Sequence, residues 1–159
     1  MASTLVAYFS ASGTTAKAAR ALADALDADL FEIQPEQPYS SADLNWNNAS
    51  SRSSLEMNDD ACRPVISNEV ENMEQYHTVF VGFPIWWYVE PRIIDTFLEA
   101  YNFEGKTIVP FATSGGSGLG KAPQRMGEIA KGSIVKPGKM LNGHQSAQAL
   151  RLWAADLGL

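Results

Sequence analysis

The sequence has few of the residues that build disulfides and metal sites. Its 159 residues include one cysteine, Cys62, and two histidines. A single cysteine excludes an internal disulfide and a zinc site made of several thiolates. Two histidines leave little for a histidine-rich centre, so we predict no metal site.

Positive charge and long apolar runs are also scarce. Twelve Lys and Arg stand against 18 Asp and Glu, a formal charge of -6, which argues against binding nucleic acid through its phosphates. No segment approaches the roughly 18 apolar residues that a membrane span needs. The first ten residues lack the basic start and long apolar run of a secretory signal. We expect a cytoplasmic protein that binds neither nucleic acid nor membrane.

What is present is an alternation of short apolar runs and amphipathic stretches, which predicts one α/β domain over residues 1–159. Such alternation is typical of a parallel sheet with helices on both faces. Strands are predicted at Leu5–Phe9, Asp29–Ile33, Thr78–Gly82, Lys106–Ala112 and Ser133–Val135, and helices at Thr14–Leu26, from Pro91 to Tyr101, at Leu119–Ile129 and at Gln145–Leu157. Pro110 is awkward inside a central strand, so we expect a bulge or an early end there.

One segment interrupts the alternation. Residues 35–64 are polar, rich in Ser, Asn and Asp, and show no clear periodicity. Unstructured loops of this length are uncommon in compact domains. The segment is either a surface excursion with a turn of helix or a cover over a site, in which case Tyr39 and Trp46 are suited to a planar ligand.

The turn after the first predicted strand has the composition of a phosphate site. A helix N-terminus at the carboxyl edge of a parallel sheet offers unpaired N–H groups and partial positive charge. The candidate residues are Ser10, Ser12, Gly13, Thr14 and Thr15. No Lys or Arg lies in this turn, so the phosphate would be held by neutral donors. The alternative is that Ser12 or Thr14 simply caps the helix.

Two later loops are predicted to open at the same edge. They comprise Pro84, Ile85, Trp86, Trp87 and Tyr88 after the third strand, and Thr113, Ser114, Gly115, Gly116, Ser117 and Gly118 after the fourth. Consecutive aromatics could stack on a flat ligand, and glycines let the main chain approach it. Alternatively, the tryptophans pack on the next helix or on a second copy, and the glycines form a flexible connection.

The second of these loops is also similar to the P-loop motif of nucleotide-binding proteins. The stretch from Gly115 to Ala122 matches G-x-x-x-x-G-K-[ST] in all but its last position. Ala122 has no hydroxyl for magnesium, and no later apolar strand ends in an aspartate. A P-loop nucleotide binder is therefore the weakest of the alternatives. No G-x-G-x-x-G motif occurs.

The three loops together resemble those of a short, flavodoxin-like bacterial family, over nearly the whole chain from Leu5 to Leu157. The resemblance implies an open, doubly wound, five-stranded parallel sheet of order 2-1-3-4-5 with FMN at the switch point. It implies that residues 10 and 12–15 hold the FMN phosphate, that Pro84 to Trp87 flank one side of the isoalloxazine, and that Thr113 to Gly118 line the other side.

The sequence departs from that family at two places. Many relatives have Gly where this chain has Tyr88, at the backbone that flips a carbonyl toward the flavin N5 to stabilise the semiquinone. Tyrosine resists a positive φ, so we expect no such flip. The later loop also lacks a Tyr to cover the outer ring face.

The resemblance implies electron transfer with a redox partner protein, and the net charge of -6 suits docking to a basic face. The alternatives are an NAD(P)H-dependent reductase of quinone-like molecules and a flavin-binding protein without turnover, or one that has lost FMN. Tyr88, Tyr39 and Glu90 are the nearby acid–base candidates, and hydride transfer to a flavin needs none.

Overall fold

The computed structural model describes residues 3–159; Met1 and Ala2, part of the segment considered above for a secretory signal, lie outside them. The strands are β1 (Thr4–Tyr8), β2 (Asp29–Glu32), β3 (Thr78–Pro84), β4 (Thr107–Thr113), β5 (Ile134–Val135) and β6 (Lys139–Met140). The helices are α1 (Thr14–Leu26), α2 (Arg52–Met57), α3 (Arg92–Ala100), α4 (Ala122–Ile129) and α5 (Ala147–Asp156). A 3₁₀ turn covers Met73–Gln75.

The strands form one parallel sheet in the order β2-β1-β3-β4-β5, with β6 also paired to β4. The predicted fold class and strand order are confirmed. The predicted fifth strand, Ser133–Val135, is β5 (Ile134–Val135), and β6 is a further short strand beside β4 that the sequence did not predict. The carboxyl ends of β1, β3 and β4 therefore open at one edge, where the three predicted loops lie.

The prediction that Pro110 causes a bulge or an early end in β4 is wrong. β4 runs unbroken from Thr107 to Thr113, with Pro110 opposite Val81 of β3. The carbonyls of Ile108 and Ala112 accept backbone hydrogen bonds from the side of β4 on which β5 and β6 lie. The backbone nitrogen of Pro110, midway between them, points to the same side. It is the neighbouring strand that is interrupted, between β5 and β6. No strand residue lies there to accept a hydrogen bond from residue 110, so the missing N–H of proline has no effect on the pairing.

The apolar strand residues face two separate cores, one on each side of the sheet. On one face, alternate residues of β1, β3 and β4 pack with α1 and α5 in a cluster that includes Val6, Leu22 and Leu150. On the other, Leu5 and its equivalents pack with α3 and α4. Helices on both faces explain why these strands are continuous apolar runs.

The polar excursion at residues 35–64 carries α2, a helix of six residues, and is closed by an antiparallel bridge between Pro35 and Ile66. The excursion thus contains a turn of helix, while its role as a cover over a site stays a prediction. Trp46 is 71% exposed, whereas Tyr39 packs on Phe9 in the core. Within residues 3–159, no helix is long and apolar enough to cross a membrane.

Candidate functional site

The loop of residues 10–15, predicted to hold a phosphate and called the phosphate loop below, is shaped by the Ser10 side chain. The Ser10 Oγ accepts hydrogen bonds from the amides of Gly13 (3.0 Å) and Ala16 (3.2 Å). Gly13 has φ +93°, a conformation that glycine adopts readily, and α1 begins at the next residue. The loop therefore curls over the helix N-terminus and is closed by a hydroxyl that bonds two of its amides.

The alternative that Ser12 or Thr14 only caps the helix does not describe this loop. The cap residue is Gly13, which has no side chain, and Ser10 takes the bonds that a cap would take. The hydroxyls of Ser12 and Thr14 lie 3.4 Å apart on exposed residues. They are thus open to a ligand together with the first amides of the helix, which have no intrahelical acceptor.

Thr15 points the other way. Its side chain is buried, and its Oγ1 lies 2.8 Å from the Oγ1 of Thr113, the last residue of β4. Ile85 donates its amide hydrogen to the Thr113 carbonyl at 2.9 Å. One residue of the third loop therefore contacts both other loops, and the three predicted loops form one contiguous surface.

The third loop, residues 113–118, is organised by its serines and by a residue that the sequence did not single out. Asn142, just after β6, accepts the Ser114 amide at 2.9 Å. The Ser114 hydroxyl donates to the Ser117 carbonyl and accepts from the Gly116 amide. A Cβ at Gly115, Gly116 or Gly118 would meet nothing within 4 Å, so these main-chain atoms border open space. The loop is an ordered turn rather than a flexible connection.

The second loop, residues 84–88, contains a strained hairpin. The amide and carbonyl of Trp86 pair with those of Val89, and the two residues between them, Trp87 and Tyr88, have φ +51° and +66°. Two positive φ values in a two-residue connection define a type I′ turn, which usually carries Asn-Gly. The expectation that Tyr88 resists a positive φ is wrong, because pairing across the turn overrides local preference.

Gly120 fits against this turn. A Cβ on Gly120 would lie 2.2 Å from the Tyr88 carbonyl oxygen, so only glycine allows the two backbones to come this close. Its φ of +56° also stops the chain from entering α4 before Ala122. Gly120 thus lets the turn of the second loop pack on the segment that follows the third. Ala122, the last position of the P-loop-like stretch, is buried.

The three aromatic residues of the second loop divide between two roles. Trp86 makes edge contacts with Phe9 and Tyr39 at centroid distances of 5.7 and 5.4 Å. Trp87 is 40% exposed and Tyr88 71% exposed. Trp86 therefore belongs to an aromatic cluster with Phe9 and Tyr39, while the rings of the two turn residues remain partly or largely exposed.

Tyr39 connects this aromatic cluster to the polar excursion. Its hydroxyl donates to Glu56 Oε1 at 2.5 Å, and the Arg52 guanidinium lies 3.7 Å from the ring centroid. Arg52 also pairs with Glu56 at 3.0 Å. Burial and the bond to Glu56 raise the pKa of Tyr39 well above its ordinary value, so Tyr39 stays a neutral donor that anchors the excursion.

A buried charge cluster lies directly behind the second loop. Glu90 and Asp95 are fully buried, and Arg125 of α4 donates to both, at 3.2 and 3.1 Å. Arg92 lies 3.7 Å from Asp95 and donates to the Met57 carbonyl of the excursion at 2.9 Å. Burial, with the adjacent Asp95, raises the pKa of Glu90 to about 9. The cluster holds the second loop, α4 and the excursion together.

A lysine that the sequence analysis left out lies next to the phosphate loop. Residues 10–15 contain no cation, as predicted, but Lys17 stands on the exposed side of α1 and lines a groove with Ser12, Gly13 and His144. The signal was available, because residues three apart in a helix share a face and Lys17 follows Thr14 by three. The site thus combines neutral donors with a nearby cation.

Comparison with known proteins identifies the family. The sequence matches the model of the flavodoxin family over residues 3–157. No curated protein matches it significantly.

Among solved structures, a candidate flavoprotein from Bacteroides eggerthii is 49% identical, with a TM-score of 0.94 and 98% of each chain covered. A second from Bacteroides uniformis is 45% identical, with a TM-score of 0.90 and coverage of 97% of this chain and 98% of the other. A flavoprotein of Lactobacillus acidophilus solved in complex with FMN shares the fold at 22% identity, with a TM-score of 0.71 and coverage of 95% and 97%. With a family match that spans nearly all of its length and loops arranged around one sheet edge, the chain belongs to the flavodoxin family.

Proposed function

We propose that the chain binds FMN without a covalent link and carries electrons between redox partners. The observation that supports it best is the position of Thr113, whose hydroxyl contacts Thr15 of the phosphate loop and whose carbonyl accepts from Ile85 of the second loop. This junction joins an anion site to a surface suited to a flat ring. FMN combines a phosphate with such a ring.

The phosphate loop fits a phosphate in its donor chemistry. The hydroxyls of Ser12 and Thr14 are exposed beside the first amides of α1, and the helix N-terminus favours an anion. Ser10 contributes by holding the loop closed, since its oxygen already accepts two amides. Thr15 contributes through Thr113 rather than by direct contact.

The ring would lie against the second and third loops. Trp87 and Tyr88 offer exposed aromatic faces, and residues 113–118 offer main-chain atoms beside open space. Bound flavin would supply the redox chemistry, while the protein orients the ring and tunes its potential. The formal charge of -6 disfavours additional negative charge on the flavin, which lowers its potential, and suits a partner with a basic face. We expect this exchange to take place in the cytoplasm.

A second candidate function is NAD(P)H-dependent reduction of quinone-like molecules. It is favoured by the open space beside Gly115, Gly116 and Gly118, which leaves room for a second planar molecule next to the ring. Electron transfer to a protein partner needs only an exposed ring edge. A reductase needs one ring face free for a nicotinamide and then for an acceptor.

Titration with FMN and with riboflavin tests the proposal. We expect FMN to quench tryptophan fluorescence, and we expect riboflavin, which lacks the phosphate, to bind more weakly. Unchanged fluorescence and an unchanged flavin spectrum would contradict flavin binding. Adding NADPH to the FMN-loaded protein separates the two functions. Bleaching by NADPH alone indicates the reductase, and bleaching that needs a separate flavin reductase indicates the carrier.

A further inference from the structure

An open groove with a volume of about 750 Å³ begins at the phosphate loop and runs along α1. At its near end it is lined by Ser12, Gly13 and Thr14. Lys17 and Ala21 of α1 line it further along. Ala21 follows Thr14 by seven residues, which is about 10 Å along the helix axis. The groove therefore continues well beyond the place where a bound phosphate would end.

This groove leads away from the ring surface. The residues that line it come from the phosphate loop, from α1 and from the turn between β6 and α5, which includes His144. The second and third loops contribute none of them. FMN ends at its phosphate, so a flavin held as proposed above leaves most of this groove for another group.

The lining fits a second phosphate followed by a flat base. Lys17 follows Thr14 by about one helical turn on α1 and lines the groove, and lysine is a common phosphate ligand. Beyond it, Ala18, Ala21 and Leu141 make a floor of apolar side chains, and the short alanines leave space above them. His144 and Gln145 also line the groove and carry hydrogen-bonding groups for a base edge or a ribose.

The charge of the groove agrees with an anionic ligand. The protein carries 18 acidic residues, yet in the described part of the chain the lining of this groove includes a lysine and a histidine and no Asp or Glu. A volume of this size lies within the usual range for small-molecule sites, about 300–1,000 Å³.

We propose that this groove binds an adenosine 5′-phosphate group next to the flavin phosphate. The inference depends on the proposed flavin site, because that site places the first phosphate at the mouth of the groove. Two dinucleotides could present such a group: FAD, whose adenylate continues from the flavin phosphate, and NAD(P)H, bound beside FMN. Lys17 would contact the adenylate phosphate, and Ala18, Ala21 and Leu141 would contact the base.

The test compares FAD and FMN binding in the wild type and in Ala21→Phe, which fills the far part of the groove and leaves the phosphate loop untouched. If FAD supplies the adenylate, we expect the wild type to bind FAD at least as tightly as FMN and Ala21→Phe to raise the Kd of FAD at least tenfold. With either source, Ala21→Phe should change the Kd of FMN by less than threefold. Ala155→Phe is the matched control, since it is an exposed helical alanine outside the groove.

NADP⁺ titrated into the FMN-loaded protein distinguishes the two sources. An effect of Ala21→Phe on FAD alone assigns the adenylate to FAD, and an effect on NADP⁺ alone assigns it to the nicotinamide dinucleotide. If Ala21→Phe does not fold, Lys17→Glu replaces it, and should raise the ratio of the FAD Kd to the FMN Kd at least fivefold. The exposed Lys131→Glu serves as its control.

Normal FMN binding with no effect of the groove variants on either dinucleotide would overturn the adenylate site and leave the proposed function intact. The adenylate site would also be overturned if FAD bound at least tenfold more weakly than FMN and the variants left NADP⁺ binding unaltered. The proposed function would again stay intact. Failure to bind any flavin would overturn both proposals.

Discussion

The Oγ1 atoms of Thr15 and Thr113 lie 2.8 Å apart on residues that are 1% and 3% exposed. One residue belongs to the first turn of α1 and the other ends β4, and 97 residues separate them in the chain. This hydrogen bond is the most direct link between the phosphate loop and the third loop. Its strength can therefore be measured separately from ligand binding.

Replacing one of these threonines by valine leaves the other hydroxyl buried without a partner. We expect Thr15→Val and Thr113→Val each to lower the free energy of unfolding by about 1–3 kcal/mol. The double variant has no buried hydroxyl without a partner, so it should be at least as stable as the less stable of the two single variants. Urea unfolding of all four proteins measures this. Strict additivity of the two losses would show that the hydroxyls do not interact.

A negative charge at Ser12 should oppose phosphate binding. We expect Ser12→Asp to raise the Kd of FMN roughly 100-fold, about 2.8 kcal/mol, because a carboxylate would face the phosphate across a short distance. Riboflavin affinity should stay within threefold. Ser50→Asp, at an exposed serine of the excursion, controls for the change in net charge. Normal FMN affinity of Ser12→Asp would contradict the phosphate position.

The turn at Trp87–Tyr88 should be relieved by glycine. An L-residue in the left-handed region costs about 1–2 kcal/mol, whereas glycine has no such cost but gains freedom in the unfolded chain. We expect Tyr88→Gly to be more stable than Tyr88→Ala by about 1 kcal/mol, measured by chemical unfolding.

Trp46 provides the matched position, because it is also 71% exposed and is not among the described residues with positive φ. There the order should reverse, with Trp46→Ala more stable than Trp46→Gly. An alanine at position 88 as stable as glycine would show that the turn changes its conformation in solution.

Glu90 should make stability depend on pH. Its pKa in the folded protein is about 9, against an ordinary value of 4.5, so the folded state binds this proton more tightly than the unfolded state. The resulting stabilisation is fully present below about pH 4.5 and is lost as the pH rises toward 9. We expect the unfolding free energy of the wild type, minus that of Glu90→Gln, to fall steadily from pH 5 to pH 9.

Because Glu90→Gln keeps the shape of the side chain and cannot ionise, the difference isolates residue 90 from the other carboxylates. Glu104→Gln, at an exposed position, should give a difference that does not vary over the same range. A flat difference for Glu90→Gln would mean that Arg125 keeps the carboxylate charged throughout.

The strands of the fold could be predicted because apolar runs such as Leu5–Phe9 are buried on both faces. The helix boundaries that depend on backbone conformation and capping could not be predicted. Gly120 delays α4, and Ser146, whose hydroxyl accepts the Ala149 amide, delays α5. β6 has only two residues, and its pairing with Phe111 and Ala112 of β4 became clear only with the sheet assembled.

For the candidate site, the sequence predicted which loops meet. It did not predict which of their side chains are exposed and which are bonded or packed within the loops. Ser12 and Ser10 look equivalent in the sequence, yet one is exposed and the other is bonded inside the loop. Trp86 and Trp87 differ in the same way. Asn142 and Arg125 carried no local signal, because their partners are distant in the chain and depend on the packing of β6 and α4.

The divided strand beside β4 also affects how copies of this protein meet. An outer strand of full length would present a row of free N–H and C=O groups to which another chain could add a strand. Here that border consists of β5 and β6, each two residues long, with Pro137 between them. A strand from another copy would find no continuous partner on this border. The proline that interrupts it therefore protects a highly apolar sheet against aggregation along this side.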